Sequence, residues 1–217
     1  MALLALGLGG CQWGEMGHLE GNGRALDQRM ALAPVSRVTA AFPGLLRVAP
    51  GSESALKLSG DENLLPYLEV KQEGEALEIR VKRGTKIEPN TPLELTLTLP
   101  TLREVALAGV TQGELGAFEG ERLELSLAGA GDMKTGALHY RELVGNLAGA
   151  GSLRLGQGEV ERVEYNLAGV GEVSGAGLQA REAEVNIAGA GDVRYTGSPR
   201  LTQQIIGQGR LEQVANQ

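Results

Sequence analysis

Two pairs of glutamates recur at a spacing that could support acid–base chemistry. Glu104 and Glu124 are 20 residues apart, and so are Glu164 and Glu184. In a chain that winds with that period each pair would stack about 5 Å apart, the separation retaining glycosidases use for a nucleophile and its acid/base partner. A second series, Asp132, Ser152, Glu172 and Asp192, follows a Gly-x-Gly corner at the same interval. A continuous file of carboxylates would suit calcium. Hard cations, however, need six or more oxygens, and Ser152 breaks the file. Calcium-binding nonapeptide repeats also space their aspartates differently from "GAGD". His139 has no Cys, His or Asp at ligand spacing, and neither a phosphate loop nor a serine-nucleophile elbow occurs. The glutamate pairs lack an aromatic platform, and Arg162 and Arg181 stand close enough to neutralise one of them. The expectation is of no catalytic residue, no metal and no cofactor.

The elements that would position these residues come from a repeated phrase. "LSLAGAGDM" ends at Met133, and close copies end at Leu153, Val173 and Val193, with a worn copy "VALAGV" at 105–110. Aligned on the period, Leu127, Leu147, Leu167 and Ile187 form one column. Met133, Leu153, Val173 and Val193 form another, continued by Leu211. Ala128, Ala148, Ala168 and Ala188 share a column, as do Gly129, Gly149, Gly169 and Gly189. A second glycine column runs through 131, 151, 171 and 191. Fixed-period self-similarity marks a solenoid. "LELSL" alternates with period two, as a half-buried strand does, and paired glycines suit tight corners. A leucine-rich repeat would want its Asn-bearing consensus and a helical turn. The fold class predicted is therefore all-β, a right-handed parallel β-helix with 20-residue coils. The leucine and glycine columns would be its structural ladders.

The outward residues support that stacking. Positions 121–122 read Glu-Arg, 141–142 Arg-Glu, 161–162 Glu-Arg and 181–182 Arg-Glu, so the sign inverts at each coil. In a parallel stack every charge then faces opposite charges above and below, which penalises a slipped register. Ser126, Asn146, Asn166 and Asn186 form a polar column able to hydrogen-bond up the ladder. Residues 24–100 are less regular but rich in alternating segments such as "ALEIRVKRG" and "PLELTLTLP". At the coil length above they predict three or four looser coils closing the N-terminal end. The Gln-rich segment from Leu201 reads as a shortened coil that caps the C-terminal end.

Composition narrows the function classes. The 217 residues include 33 glycines, one cysteine and 3% aromatics, with a net charge of −7. An acidic chain is not expected to bind nucleic acid, and a lone Cys11 excludes an intrachain disulfide. The opening "MALLALGLGGCQ" resembles a bacterial lipoprotein signal in which Cys11 is acylated, although no Lys or Arg precedes its short apolar run. The predicted organisation is a lipoprotein-type signal over 1–11, a flexible linker over 12–23, irregular β-rich coils over 24–100, and regular coils with a cap over 101–217. Trp13 and His18 fall in the linker.

The segment "RVTAAFPGLLRVAPGSESALKLSGDENLLPYLEVKQEGEALEIRV", the "LAGAGD" repeats and the ending "GDVRYTGSPRLTQQIIGQGRLEQV" together resemble the head GIN domain family of auto-transporter adhesins. "DENLLPYLEV" and the Gly-x-Gly-Asp corners are the most specific parts. Family members usually carry Ser-Gly-Ser-Gly-Asp at those corners. Here Ala replaces both serines, and Ser152 and Glu172 replace the aspartate in two coils. The resemblance implies an exported β-helical protein, often lipid-anchored, and supplies no catalytic residues. The function expected is a non-catalytic adhesion or interaction module of the bacterial cell envelope. It would be held by lipid at the outer membrane or cell surface and contact protein partners or copies of itself. The alternative is a β-helix that binds or cleaves polysaccharide.

Overall fold

The computed structural model describes residues 17–215, so Cys11, Trp13 and the signal-like segment 1–11 lie outside the described residues. Apart from a single 3₁₀ turn at Leu65–Tyr67, the regular elements among them are strands. The N-terminal part contains β1 (Gly17–Glu20), β2 (Ala25–Ala31), β3 (Arg37–Ala41), β4 (Leu45–Pro50), β5 (Ala55–Asp61), β6 (Leu68–Glu73), β7 (Ala76–Val81), β8 (Thr85–Glu88) and β9 (Glu94–Leu99). The repeats follow as alternating long and short strands. These are β10 (Glu104–Gly109), β11 (Gln112–Leu115), β12 (Phe118–Gly129), β13 (Asp132–Thr135), β14 (Leu138–Gly149), β15 (Ser152–Arg154), β16 (Gly158–Gly169), β17 (Glu172–Gly175), β18 (Leu178–Gly189), β19 (Asp192–Tyr195), β20 (Arg200–Gly207) and β21 (Arg210–Gln213).

From β10 onward the chain forms a parallel β-solenoid, each coil placing one strand in a nine-stranded sheet and one in a ten-stranded sheet. The register is the sequence period itself, with Leu127 opposite Leu147, Leu147 opposite Leu167 and Leu167 opposite Ile187. Those four side chains are each 2% exposed. Burying one such side chain is worth about 1.5–3 kcal/mol. Met133, Leu153, Val173 and Val193 stack opposite them on the shorter strands. The long strands turn a corner at 121, 141, 161 and 181, where the pairing skips one residue. Inward positions are even-numbered before that corner (Phe118, Leu138, Tyr140) and odd-numbered after it (Leu123, Leu125, Leu127). Two adjacent residues therefore point outward at every corner, which is why both carry charge.

Glycine serves two purposes here. At Gly129, Gly149, Gly169 and Gly189 φ lies between 131° and 135°, and a Cβ would strike the carbonyl oxygen of the glycine one coil below. At 131, 151, 171 and 191 a Cβ would strike the carbonyl below in the same way. Thr111 heads that second column. It is fully buried, its hydroxyl donating to the Phe42 carbonyl at 2.7 Å and accepting from the Phe42 N–H at 2.9 Å. Irregularities in the core are packed as pairs. Gly145 leaves room for Tyr165 one coil above, and Gly120 does the same for Tyr140, whose hydroxyl donates to the Leu102 carbonyl at 2.8 Å.

The N-terminal half departs from the expected three or four successive coils. Only two coils form, and they stack out of chain order: β3 and β4 lie directly below β10 and β11, with β7 and β9 beneath them. The 51–75 segment between them is much longer than a corner. It doubles back, so β5 pairs antiparallel with β2 and β9, and β6 antiparallel with β7. The expected flexible linker also ends early, because Gly17–Glu20 pairs in parallel with β8. A carboxylate at the end of β5 pins the residues that follow β1. Asp61, fully buried, accepts N–H bonds from Gly23 at 2.7 Å, Asn90 at 2.9 Å and Thr91 at 3.0 Å. Asn63 donates to the Glu20 carbonyl at 2.8 Å and accepts from the Asn22 N–H at 3.0 Å. These residues lie in "DENLLPYLEV", so that stretch acts as a clasp.

Candidate functional site

The outer face of the nine-stranded sheet carries most of the residues that could have done chemistry. Glu104 stands in register with Glu124, and Glu164 with Glu184, as the period requires. Val144 separates the two pairs. Each carboxylate beyond the first is engaged by a neighbour. Asn146 Nδ2 donates to Glu124 at 3.1 Å, Asn166 to Glu164 at 2.8 Å and Asn186 to Glu184 at 3.5 Å. Arg162 adds an ion pair to Glu184 at 2.8 Å, and Arg122 approaches Glu124 at 3.8 Å. The same asparagines bond up the stack, Asn146 to Ser126 at 3.2 Å, Asn166 to Asn146 at 3.0 Å and Asn186 to Asn166 at 3.0 Å. Each amide thus donates one proton along the ladder and the other sideways to a glutamate.

The corner charges form partial ladders. Arg141 bridges Glu121 at 3.6 Å and Glu161 at 3.4 Å, and Arg122 reaches Glu142 at 2.6 Å. The Glu142 hydrogen bond holds the Arg122 guanidinium above its ordinary pKa. Arg162, expected between Glu142 and Glu182, instead crosses diagonally to Glu184, and Glu182 pairs with Arg200 at 3.2 Å. A longer side chain can reach either neighbour, and the sequence column does not choose between them.

In the acidic corner the carboxylates are also occupied by other side chains. The Ser152 hydroxyl donates to Asp132, and Arg194 pairs with Glu172. Arg210 grips Asp192 through both oxygens at 3.1 and 3.0 Å, which holds the Asp192 carboxyl below the usual range. No group of three or more His, Cys, Asp or Glu able to hold a metal occurs among the described residues. His139 is exposed, in register between Glu119 and Glu159.

Two surface features escaped the sequence reading. On the ten-stranded sheet Arg47 pairs with Glu94 at 2.7 Å and with Glu114, and Lys134 pairs with Glu114 at 2.6 Å. The Lys134 hydrogen bond, joined by Arg47, holds the Glu114 carboxyl below its ordinary pKa. This is the same alternation of sign as at the corner. It cannot be read along the chain because its stacking order is 94, 47, 114, 134. The other feature is a shallow apolar groove of about 400 Å³ along Ala148, Ala168 and Ala188, edged by the asparagine ladder and closed at one end by Gln204 and Ile206. Its signal was present, since small residues in an outward column leave a trough between taller neighbours.

Fold and surface together define a parallel β-solenoid whose polar side chains are used to hold coil to coil. The chain belongs to the family described as "Putative auto-transporter adhesin, head GIN domain", which matches residues 36–216. Solved structures of the same fold include a "putative adhesin" from Bacteroides fragilis NCTC 9343, 18% identical with a TM-score of 0.74, covering 90% of this chain and 100% of that one. A "putative lipid binding protein" from Parabacteroides distasonis ATCC 8503 is 22% identical with a TM-score of 0.71, covering 91% and 99%. A "putative adhesin" from Parabacteroides merdae ATCC 43184 is 20% identical with a TM-score of 0.66, covering 91% and 99%. Among curated proteins none matches the chain.

Proposed function

We propose that the chain is a non-catalytic adhesion module of the bacterial cell envelope, tethered by lipid on Cys11. The observation that carries this reading is the commitment of the outward carboxylates. Glu124, Glu164 and Glu184 each accept an asparagine hydrogen bond, and Glu172 and Asp192 are held by arginines. These bonds give the carboxylates a structural task, holding one coil to the next. Membership of an adhesin family supports the same conclusion. A stiff surface repeated coil after coil offers many weak contacts, which gain strength when many copies share one surface. Gln12 after the cysteine, in place of the acidic residue that retains some lipoproteins at the inner membrane, favours the outer membrane or cell surface.

Deleting the gene should reduce adhesion or aggregation, and restoring the wild-type chain should recover it. Cys11→Ser should move the protein from the membrane to the soluble fraction, and unaltered fractionation would refute the anchor. Cleavage of a polysaccharide by the purified protein, abolished by Glu164→Gln or Glu184→Gln, would refute the non-catalytic reading.

A further inference from the structure

The two ends of the solenoid are finished differently. At the N-terminal end the outermost strands β2 and β6 carry Asp27, Arg29, Glu69, Lys71 and Glu73. Charges on an edge strand discourage further pairing. At the C-terminal end β20 and β21 each have a hydrogen-bonded neighbour on one side only among the described residues. β21 carries Arg210 and Glu212, whereas between Arg200 and Gly207 β20 reads Leu-Thr-Gln-Gln-Ile-Ile, without charge or proline. That is the composition of a segment that accepts another strand. Ile205 continues the inward leucine column, yet it is 39% exposed where each of the four residues behind it is 2% exposed.

We infer that this end is the docking face for a second copy of the chain, joined tail to tail by antiparallel pairing of β20 with β20 and β21 with β21. The inference rests on the adhesion reading above for its biological use, not for its geometry. Opposite residues in an antiparallel pair point to the same face, so inward side chains must meet inward side chains. Placing Gln203 on a two-fold axis satisfies this, setting Leu201 against Ile205 of the second copy and Thr202 against Gln204. On the other sheet, placing Leu211 on the axis sets Arg210 against Glu212 of the second copy, and Glu212 against its Arg210.

One axis can serve both sheets because the two columns face each other across the interior. Gly145 lies in the column of Gln203 and Leu153 in that of Leu211, and a Cβ on Gly145 would come within 3.0 Å of Leu153. The charge pattern then runs through the junction. Within each chain Asp192 pairs with Arg210 at 3.0 Å and Arg194 with Glu212 at 3.2 Å. Across the axis the order becomes Asp192, Arg210, then Glu212 and Arg194 of the second copy, with the sign alternating throughout. Such an interface uses the same patch twice and closes at two copies. It leaves the two copies of β1 at opposite ends of a doubled solenoid, so copies on two facing surfaces would tie those surfaces together.

The test is sedimentation of the full chain in mild detergent, where the wild type should run as a dimer. Arg210→Glu alone opposes carboxylates, and Glu212→Lys alone opposes cations. Each should weaken association about tenfold or more. Their equimolar mixture restores opposite charges at both contacts and should dimerise like the wild type, a rescue that misfolded variants would not give. Gln203→Lys, with like charges meeting on the axis, should abolish the dimer. A monomeric wild type, single variants that dimerise normally, or a mixture that is not rescued would each overturn the proposal. Adhesion lost on gene deletion while the protein stays monomeric would overturn the tail-to-tail contact and leave the adhesion reading standing. A dimer whose deletion leaves adhesion unchanged would do the reverse.

Discussion

The regular coils from Glu104 onward and the clasped half from Gly17 to Arg103 reach a similar architecture by different means. In the coils each residue type answers a demand repeated at every rung. Leucine fills the interior, glycine admits the carbonyl of the coil below, and asparagine bonds to the next asparagine. In the clasped half the chain doubles back twice and its coils stack out of order. One buried carboxylate, Asp61, does what a column does elsewhere. A repeat spreads its stability over many equivalent contacts, whereas a clasp concentrates it at one. Damage should therefore be local and steric in the coils, and electrostatic and pH-dependent in the clasped half.

The largest expected effect tests the steric side of that contrast. Gly149→Val puts a side chain where φ is 131° and the Gly129 carbonyl already sits. It should cost more than about 4 kcal/mol, measured by denaturant titration. Gly74→Ala, at φ 58° but with nothing within 4 Å of the added carbon, should cost only about 1–2 kcal/mol. Equal losses at the two glycines would mean that backbone conformation alone matters, and the close stacking does not.

Next in size is the clasp. Asp61→Asn keeps the shape but turns an acceptor oxygen into a donor facing backbone N–H groups, which should cost about 2–4 kcal/mol. Amide exchange should accelerate at Gly23, Asn90 and Thr91 while the Asn166 and Ala168 amides stay protected. Uniform acceleration along the chain would show that the halves unfold together. Acid should have the same selectivity. Burial works to raise the Asp61 pKa, but the Thr91, Gly23 and Asn90 N–H donors outweigh it and leave the carboxyl below its ordinary value. A lowered folded pKa gives stability that is present above the unfolded value of about 3.9 and is lost as pH falls through the folded one. Protection of these three amides, relative to their intrinsic exchange, should therefore fall only once the pH drops below about 3.9, and Asp61→Asn should flatten the dependence.

The smallest expected effect concerns the corner charges. Arg162→Glu removes the partner of Glu184 and places like charges beside Glu142 and Glu182. The thermal midpoint should fall on the order of 2–4 °C and recover partly in salt. Adding Glu142→Arg and Glu182→Arg should not restore it, because those changes turn the Glu142–Arg122 and Glu182–Arg200 pairs into like-charge contacts. A midpoint unmoved by the single change would assign register to the asparagines and glycines alone.

What the sequence determined by itself is the coil. Its period, inward leucines, glycine corners and asparagine ladder are local facts repeated at constant spacing, and parallel stacking turns that spacing into contact. Leu127 meets Leu147, and Asn146 meets Asn166, because 20 residues separate each pair. Tertiary structure alone decided whatever depended on the order of stacking. The ladder of Glu94, Arg47, Glu114 and Lys134 alternates in space but not along the chain, since the coil of β7 and β9 slides beneath that of β3 and β4. Gly17–Glu20 reads as a linker until Asp61 and Asn63, some 40 residues on, supply partners for the Gly23 and Asn22 N–H groups and the Glu20 carbonyl. Arg162 shows the same limit at close range, for its column allows either neighbour and the diagonal Glu184 takes it. Periodicity encodes contacts between residues at fixed separation. A contact made by a chain that reverses leaves no period to read.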